Sequence, residues 1–211
     1  MAKHLVWDWN GTLLDDFTAV VDATNSAIGT IGGEILGPDD HRERFFRPIK
    51  EFYSELAGRR LDDEEFGRLD RLFHDHYQLG VAAHGLTADA REAIAAWQGT
   101  QSLLSMWFHD DLVPLVATHG LTRHFARVDG LRETVGGNSK LPYLLAHLEA
   151  LGAEAADCVL IGDSVDDHLA ASTAGAGCVL YAGGFTSPTR LGQTGAPVAR
   201  TLTEAIALAQ R

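Results

Sequence analysis

The sequence predicts an α/β fold: a doubly wound parallel sheet carrying a small, all-helical second domain. Three observations predict it. Short apolar runs of strand length recur at residues 3–8, 101–106, 126–130, 157–162 and 177–181. From residue 87 onward helical patterns separate those runs, and that alternation is how helices come to cover both faces of a parallel sheet. Residues 16–85 break the alternation. They show no strand pattern but helical spacing around 17–30, 48–57 and 62–80, and they are rich in Arg, Asp, Glu, His and Phe. They are expected to form a helical domain inserted after the first strand, with linkers near 14–17 and 81–87, on a core made of residues 1–15 and 86–211.

The elements follow in chain order. Residues 3–8 (KHLVWD) are apolar and aromatic and end at an Asn10-Gly11 turn, which predicts a buried first strand. After the helical block, Thr87 to Trp97 is Ala-rich, with Thr87 or Asp89 as a cap and Gly99 as a stop. QSLLSM at 101–106 predicts the second strand. Asp110 to Thr118 predicts a helix interrupted near Pro114. ARVDG at 126–130 is a further strand candidate. Ser139 to Leu151 places Leu141, Leu144, Leu145 and Leu148 at helical spacing before Gly152. DCVLIG at 157–162 and GCVLY at 177–181 are strands, and 166–174 and 203–210 are helices.

Composition narrows the classes of function. The chain has 211 residues, enough for one large domain or a core with a small accessory domain, and its net charge is −12. A surface this acidic repels phosphate backbones, so no nucleic-acid partner is expected. A phosphorylated small molecule would need local positive charge at its site. No apolar run approaches the ~20 residues of a membrane span, and the segment MAKHLVWD lacks the apolar region of a signal peptide. Cys158 and Cys178 each begin an apolar run and are expected to be buried free thiols, which suits a reducing cytoplasm.

Four short motifs fall at or near strand ends, where open parallel sheets bind ligands. Asp8-Trp9-Asn10-Gly11-Thr12-Leu13 exposes a carboxylate at the end of the first strand. Ser105 ends the run LLS and offers a hydroxyl. Lys140 opens the helix SKLPYLLAHLEALG, although a helix N-terminus disfavours a cation, so an anion is expected to face it. Gly162-Asp163-Ser164-Val165-Asp166-Asp167 follows the strand CVLI. Three carboxylates in five residues repel one another unless a hard divalent cation sits among them, and oxygen ligands favour Mg2+.

In this order and spacing the four motifs resemble the haloacid dehalogenase-like hydrolase superfamily. The first resembles its DxDGTL box, Ser105 its strand-end Ser/Thr, Lys140 its motif lysine and the fourth its GDSxxD box. The tail CVLYAGGFTSPTRLGQTGAPVARTLTEAIALAQ resembles its final strand and loop. Residues 16–85 then resemble the helical cap of the phosphoglycolate phosphatase-like branch. The resemblance implies a Mg2+-dependent phosphohydrolase acting on a small phosphorylated metabolite. Asp8 would attack phosphorus and form an aspartyl-phosphate. Asp8, the backbone carbonyl of Asn10 and Asp163 would hold Mg2+, with Asp167 as a further ligand or a partner through water and Asp166 in an outer shell. Lys140, Ser105 and Thr12 would bind the phosphoryl group. The protein is expected to be a monomer or homodimer.

Asn10 departs from the pattern. The family places a second Asp there, which protonates the leaving group and later activates water. An amide does neither, and losing such a group costs ~10²–10⁴ in rate. The substrate could carry a good leaving group, such as an acyl phosphate. Another residue could supply the proton, with His41, His84, His109 and His168 as candidates. Or the protein could bind a phosphorylated ligand with little or no turnover. A metal-free dehalogenase is the rival within the superfamily, and the carboxylates at 163 and 167 argue against it. His74 and His76 lie two apart on a helix, facing different ways, and are expected on a solvated face. Trp7 is expected in the core, Trp9 bordering the substrate, and Arg47 or Lys50 are candidates for contacting an anion, with a surface position the default for both.

Overall fold

The computed structural model describes residues 2–132 and 139–211. Six strands form one parallel sheet in the order β3-β2-β1-β4-β5-β6: β1 is His4–Trp7, β2 Thr100–Phe108, β3 Val128–Leu131, β4 Cys158–Gly162, β5 Gly177–Tyr181 and β6 Val198–Ala199. This is the doubly wound arrangement the alternation predicts. Helices α1 (Phe17–Gly29), α2 (Pro38–Arg44), α3 (Ile49–Leu56) and α4 (Asp63–Val81) all lie between β1 and β2. The remaining helices are α5 (Ala90–Ala96), α6 (His109–Thr118), α7 (Leu141–Leu151), α8 (Val165–Ala174), α9 (Pro188–Gly192) and α10 (Leu202–Ala209).

The centre of the sheet explains itself from sequence. Every residue of β1 is buried, as a strand covered on both faces must be. Its register with β4 pairs Trp7 with Ile161, and the Asp8 amide donates to the Ile161 carbonyl at 2.8 Å. The chain order reverses between β1 and β4, so the crevice at this switch point opens beyond Asp8 and Asp163.

Among the helices, α4 begins with a capping box in which Asp62 and Glu65 satisfy each other's backbone donors. It packs along α1, burying Phe66, Leu69, Tyr77 and Val81. The helix α8 starts with the same device, Ser164 with Asp167. A left-handed Gly152 ends α7 and a left-handed Gly175 ends α8.

Four expectations change. The proline does not interrupt α6: the helix runs from His109 through Pro114 to Thr118, giving up one interior backbone donor. Strand β2 extends to Phe108, so Ser105 sits inside the strand, where the pairing with β3 shifts register. Trp9 is fully buried, its ring 5.9 Å from that of His119, and it lines neither cavity beside Asp8 and Asn10. His74 is mostly buried against Phe73 and Phe108 rather than on a solvated face. Cys158 and Cys178 are free thiols, Cys158 buried and Cys178 half-buried. Among the described residues no helix is long and apolar enough to cross a membrane.

Candidate active site

The site grows from two adjacent strand ends. Asp8 follows β1 and Asp163 follows β4, while Asp167 stands in the first turn of α8 and Lys140 caps α7. Oxygens of Asp8, Asp163 and Asp167 all lie within 4.8 Å of one another, and all three residues are buried. Lys140, 3% exposed, places its Nζ 2.9 Å from Asp8 Oδ1 and in direct contact with Asp167 Oδ1. Two of the three carboxylates thus pair with one ammonium. Burial and the neighbouring carboxylates push Asp8 up to about 6 and raise Asp163 well above the usual carboxylate range. The Lys140 contact outweighs burial at Asp167 and holds it low, and the two carboxylates hold Lys140 high.

The backbone closes tightly around these groups. Gly11 has a φ of +71°, and a side chain there would come within 2.6 Å of Asp163 Oδ2. A Cβ on Gly184 would collide with the Asp163 carboxylate, and one on Gly162 with that of Asp167. Asp163 accepts from the Phe185 amide at 2.6 Å and from Thr12 Oγ1 at 3.0 Å. Asp167 Oδ2 accepts from both the amide and the hydroxyl of Ser164, so both its oxygens are engaged by protein donors. Asp166 accepts from the Lys140 amide at 2.8 Å. Asp8 Oδ1 takes the Trp9 amide at 2.8 Å as well as Lys140.

This donor set suits a hard cation. It supplies carboxylate oxygens alone, carries more negative than positive charge, and is dry enough to leave that excess unscreened. The neighbouring cavity is lined by Asp8, Asn10, Arg47, Lys140, Asp163 and Asp166 among others.

Two expected phosphate contacts are placed differently. The Ser105 hydroxyl, 1% exposed, donates to Asn10 Oδ1 at 2.9 Å and accepts from the Trp107 amide. The Thr12 hydroxyl, fully buried, donates to Asp163. Both spend their one proton orienting a site residue. The histidines named as proton sources lie elsewhere: His41 is buried among Phe17, Phe45 and Phe52, where burial pushes it down to about 4; His84 bonds the Asp15 carbonyl; His109 bonds the Gly130 amide; and His168 lies on α8 and lines neither cavity described here. Arg47 lines the site, whereas Lys50 pairs with exposed Asp63 away from it.

Asp16 escaped the sequence reading. It stands where a helix cap belongs, at the start of α1, yet makes no capping bond. Its fully buried carboxylate instead accepts from the Gly11 amide (2.7 Å), Asn10 Nδ2 (2.8 Å) and Tyr77 of α4 (2.6 Å), and burial raises it above the usual range. Asn10 Nδ2 also donates to Tyr77 at 2.7 Å. The amide of Asn10 is therefore fixed by Asp16, Tyr77 and Ser105. The only local signal was a second acidic residue beside Asp15. An exchange cycle tests the pairing. Asn10→Asp sets a carboxylate against Asp16, and Asp16→Asn removes the charge from three buried donors; each is expected to cost ~1–3 kcal/mol. The double exchange, which restores one amide facing one carboxylate, is expected to recover most of the loss, as read by denaturant unfolding of all four proteins.

Comparison with known proteins places this geometry. A family model described as HAD-hydrolase-like matches residues 137–205. A phosphoglycolate phosphatase of Mesorhizobium japonicum is 29% identical over 192 residues, covering 86% of this chain and 83% of that protein. One of Chromobacterium violaceum is 26% identical over 209 residues, covering 90% and 89%. In fold, the chain is similar to the crystal structure of a predicted phosphatase from Clostridium acetobutylicum, with a TM-score of 0.87 at 14% identity over 100% of this chain and 99% of that one.

Proposed function

We propose that the chain is a member of the haloacid dehalogenase-like hydrolase superfamily, in its phosphoglycolate phosphatase-like branch, and that it is a Mg2+-dependent phosphohydrolase of a small phosphorylated metabolite, working through an aspartyl-phosphate on Asp8. The observation that carries this reading is the buried cluster of Asp8, Asp163 and Asp167 around Lys140 at the switch point of the sheet.

Asp8, Asp163 and the Asn10 backbone carbonyl would hold Mg2+, and Asp167, its oxygens already taken by Lys140 and Ser164, would act through Lys140 or a water. When bound, the cation neutralises charge on the phosphoryl oxygens and the attacking carboxylate. Lys140 keeps Asp8 ionised and aimed, and its charge lowers the repulsion between that carboxylate and the anionic substrate. An Asp8 oxygen forms the bond to phosphorus as the ester oxygen leaves with its electron pair. Water then attacks phosphorus, releasing phosphate and regenerating Asp8. Asn10 supplies no proton, and its amide hydrogens are committed to Asp16 and Tyr77, so a leaving group stable as an anion is favoured. Helices α1–α4 would serve as the cap over this centre. The free thiols suit a cytoplasmic protein, working as a monomer or homodimer.

Two measurements test the reading. Phosphate release from an aryl phosphate should require Mg2+ and stop with EDTA. Metal-independent halide release from a 2-haloacid would favour the dehalogenase, and tight phosphate binding without turnover would favour a binding protein. Separately, Mg2+ at 100 times its Kd should stabilise the wild type by ~2.7 kcal/mol in thermal unfolding. Asp163→Asn should lose most of that gain, and an equal gain in the variant would remove Asp163 from the metal site.

A further inference from the structure

A second cavity adjoins the acidic site and shares Asn10, Phe45, Arg47, Met106 and Phe185 with it. The residues lining this cavity alone come from α1, α3, α4 and the end of β2, and most are apolar or aromatic: Val20, Ile49, Phe52, Phe73, Tyr77 and Trp107. Their polar companions gather around one carboxylate. Asp70, 4% exposed, is the carboxylate among them, with His74 Nε2 at 3.6 Å from its Oδ1 and Thr24 and Tyr53 close by. His74 Nδ1 is buried with no hydrogen-bond partner among the described residues. Arg47 lines both cavities, and its charge acts on Asp166, at the phosphate end.

We propose that this cavity selects the leaving group, and that the substrate is a phosphate of an apolar, ring-sized organic body whose far end is neutral or cationic. The assignment rests on the phosphohydrolase reading and adds the substrate class to it. An aromatic wall gains from covering apolar surface and gains nothing from a two-carbon acid. A second carboxylate reaching past Arg47 would meet Asp70, a like charge in a dry cavity, and be rejected. A group that donates a hydrogen bond would meet Asp70 favourably. Phosphoglycolate, for which the relatives are named, carries a carboxylate beside its phosphate and fits this lining poorly.

The test compares matched leaving groups on the full chain with Mg2+. Benzoyl phosphate and acetyl phosphate both release carboxylates of similar basicity, so their kcat/KM ratio reads the cavity rather than the chemistry. Benzoyl phosphate is expected to be favoured tenfold or more. 4-(Aminomethyl)phenyl phosphate should likewise exceed 4-(carboxymethyl)phenyl phosphate tenfold or more, and Asp70→Asn should shrink that second ratio at least fivefold. Equal rates within both wild-type pairs, or a preference for 2-phosphoglycolate over the aryl phosphates, overturns the cavity assignment while leaving the phosphohydrolase standing. No turnover of any of the five compounds overturns the phosphohydrolase reading, and the assignment with it. The wild-type ratios decide the matter even if Asp70→Asn fails to fold.

Discussion

Replacing Asp8 with Asn is expected to lower Mg2+-dependent turnover of an aryl phosphate by at least ~10⁴-fold and to leave the fold intact. The amide has nearly the volume of the carboxylate, and its oxygen can still accept from the Trp9 amide and from Lys140. The substitution also removes one of three crowded buried carboxylates, so no loss of stability is expected from charge. What disappears is the nucleophile. Steady-state kinetics gives the loss, circular dichroism checks the fold, and acid-quenched digestion should find phosphate on the Asp8 peptide of the wild type alone. A variant retaining a tenth of the activity would mean that Asp8 does not carry the phosphoryl group.

Lys140→Met is expected to be the most destabilising single change at the site. Lys140 is the ammonium in contact with Asp8 and Asp167, and both carboxylates are buried. Removing one partner of a buried ionic cluster costs ~3–5 kcal/mol because the other charges are left uncompensated. For a chain of this size that corresponds to a fall in Tm of about 10 °C, measured with EDTA present. The loss depends on pH with a definite sign. Burial raises Asp8 to about 6 in the folded protein, above its value of 3.8 when exposed, so the folded state binds that proton more tightly. Acidification therefore relieves the repulsion. Without Lys140 the Asp8 carboxyl is raised further, so the gap between variant and wild type should be widest at alkaline pH and narrow as the pH falls toward 6. A gap that is constant or grows on acidification would mean that charge at Asp8 is not what Lys140 compensates.

Much of this was legible in the chain because it is written locally. Strands β1, β4 and β5 are continuous apolar runs, and the residues that end them, Asp8-Trp9-Asn10-Gly11 and Gly162-Asp163, are turn and carboxylate residues next to those runs. The helices α1, α3 and α4 showed their spacing for the same reason. Helix α2, PDDHRER, has no apolar stripe and buries only His41; α9 has five residues and β6 two, too few to show a period. Two hydroxyls show no partner in the local sequence, because a hydroxyl's acceptor is chosen by the fold. Ser105 meets Asn10, 95 positions away, and Thr12 meets Asp163, 151 positions away. Asp16 went unread because its partners, Asn10 and a tyrosine 61 positions on, are brought to its carboxylate only by the fold.

The sequence by itself determined the parallel sheet, the strand ends that carry the site and the identity of the charged groups gathered there, since period, turn residues and carboxylate spacing are properties of neighbouring positions. Tertiary structure alone decided how those groups are shared: one lysine among buried acids, an amide at position 10 locked by Asp16 and Tyr77, and an aromatic cavity ending in Asp70. Each depends on which distant side chain arrives within about 3 Å in a place that excludes water, and there a partner's identity sets the energy.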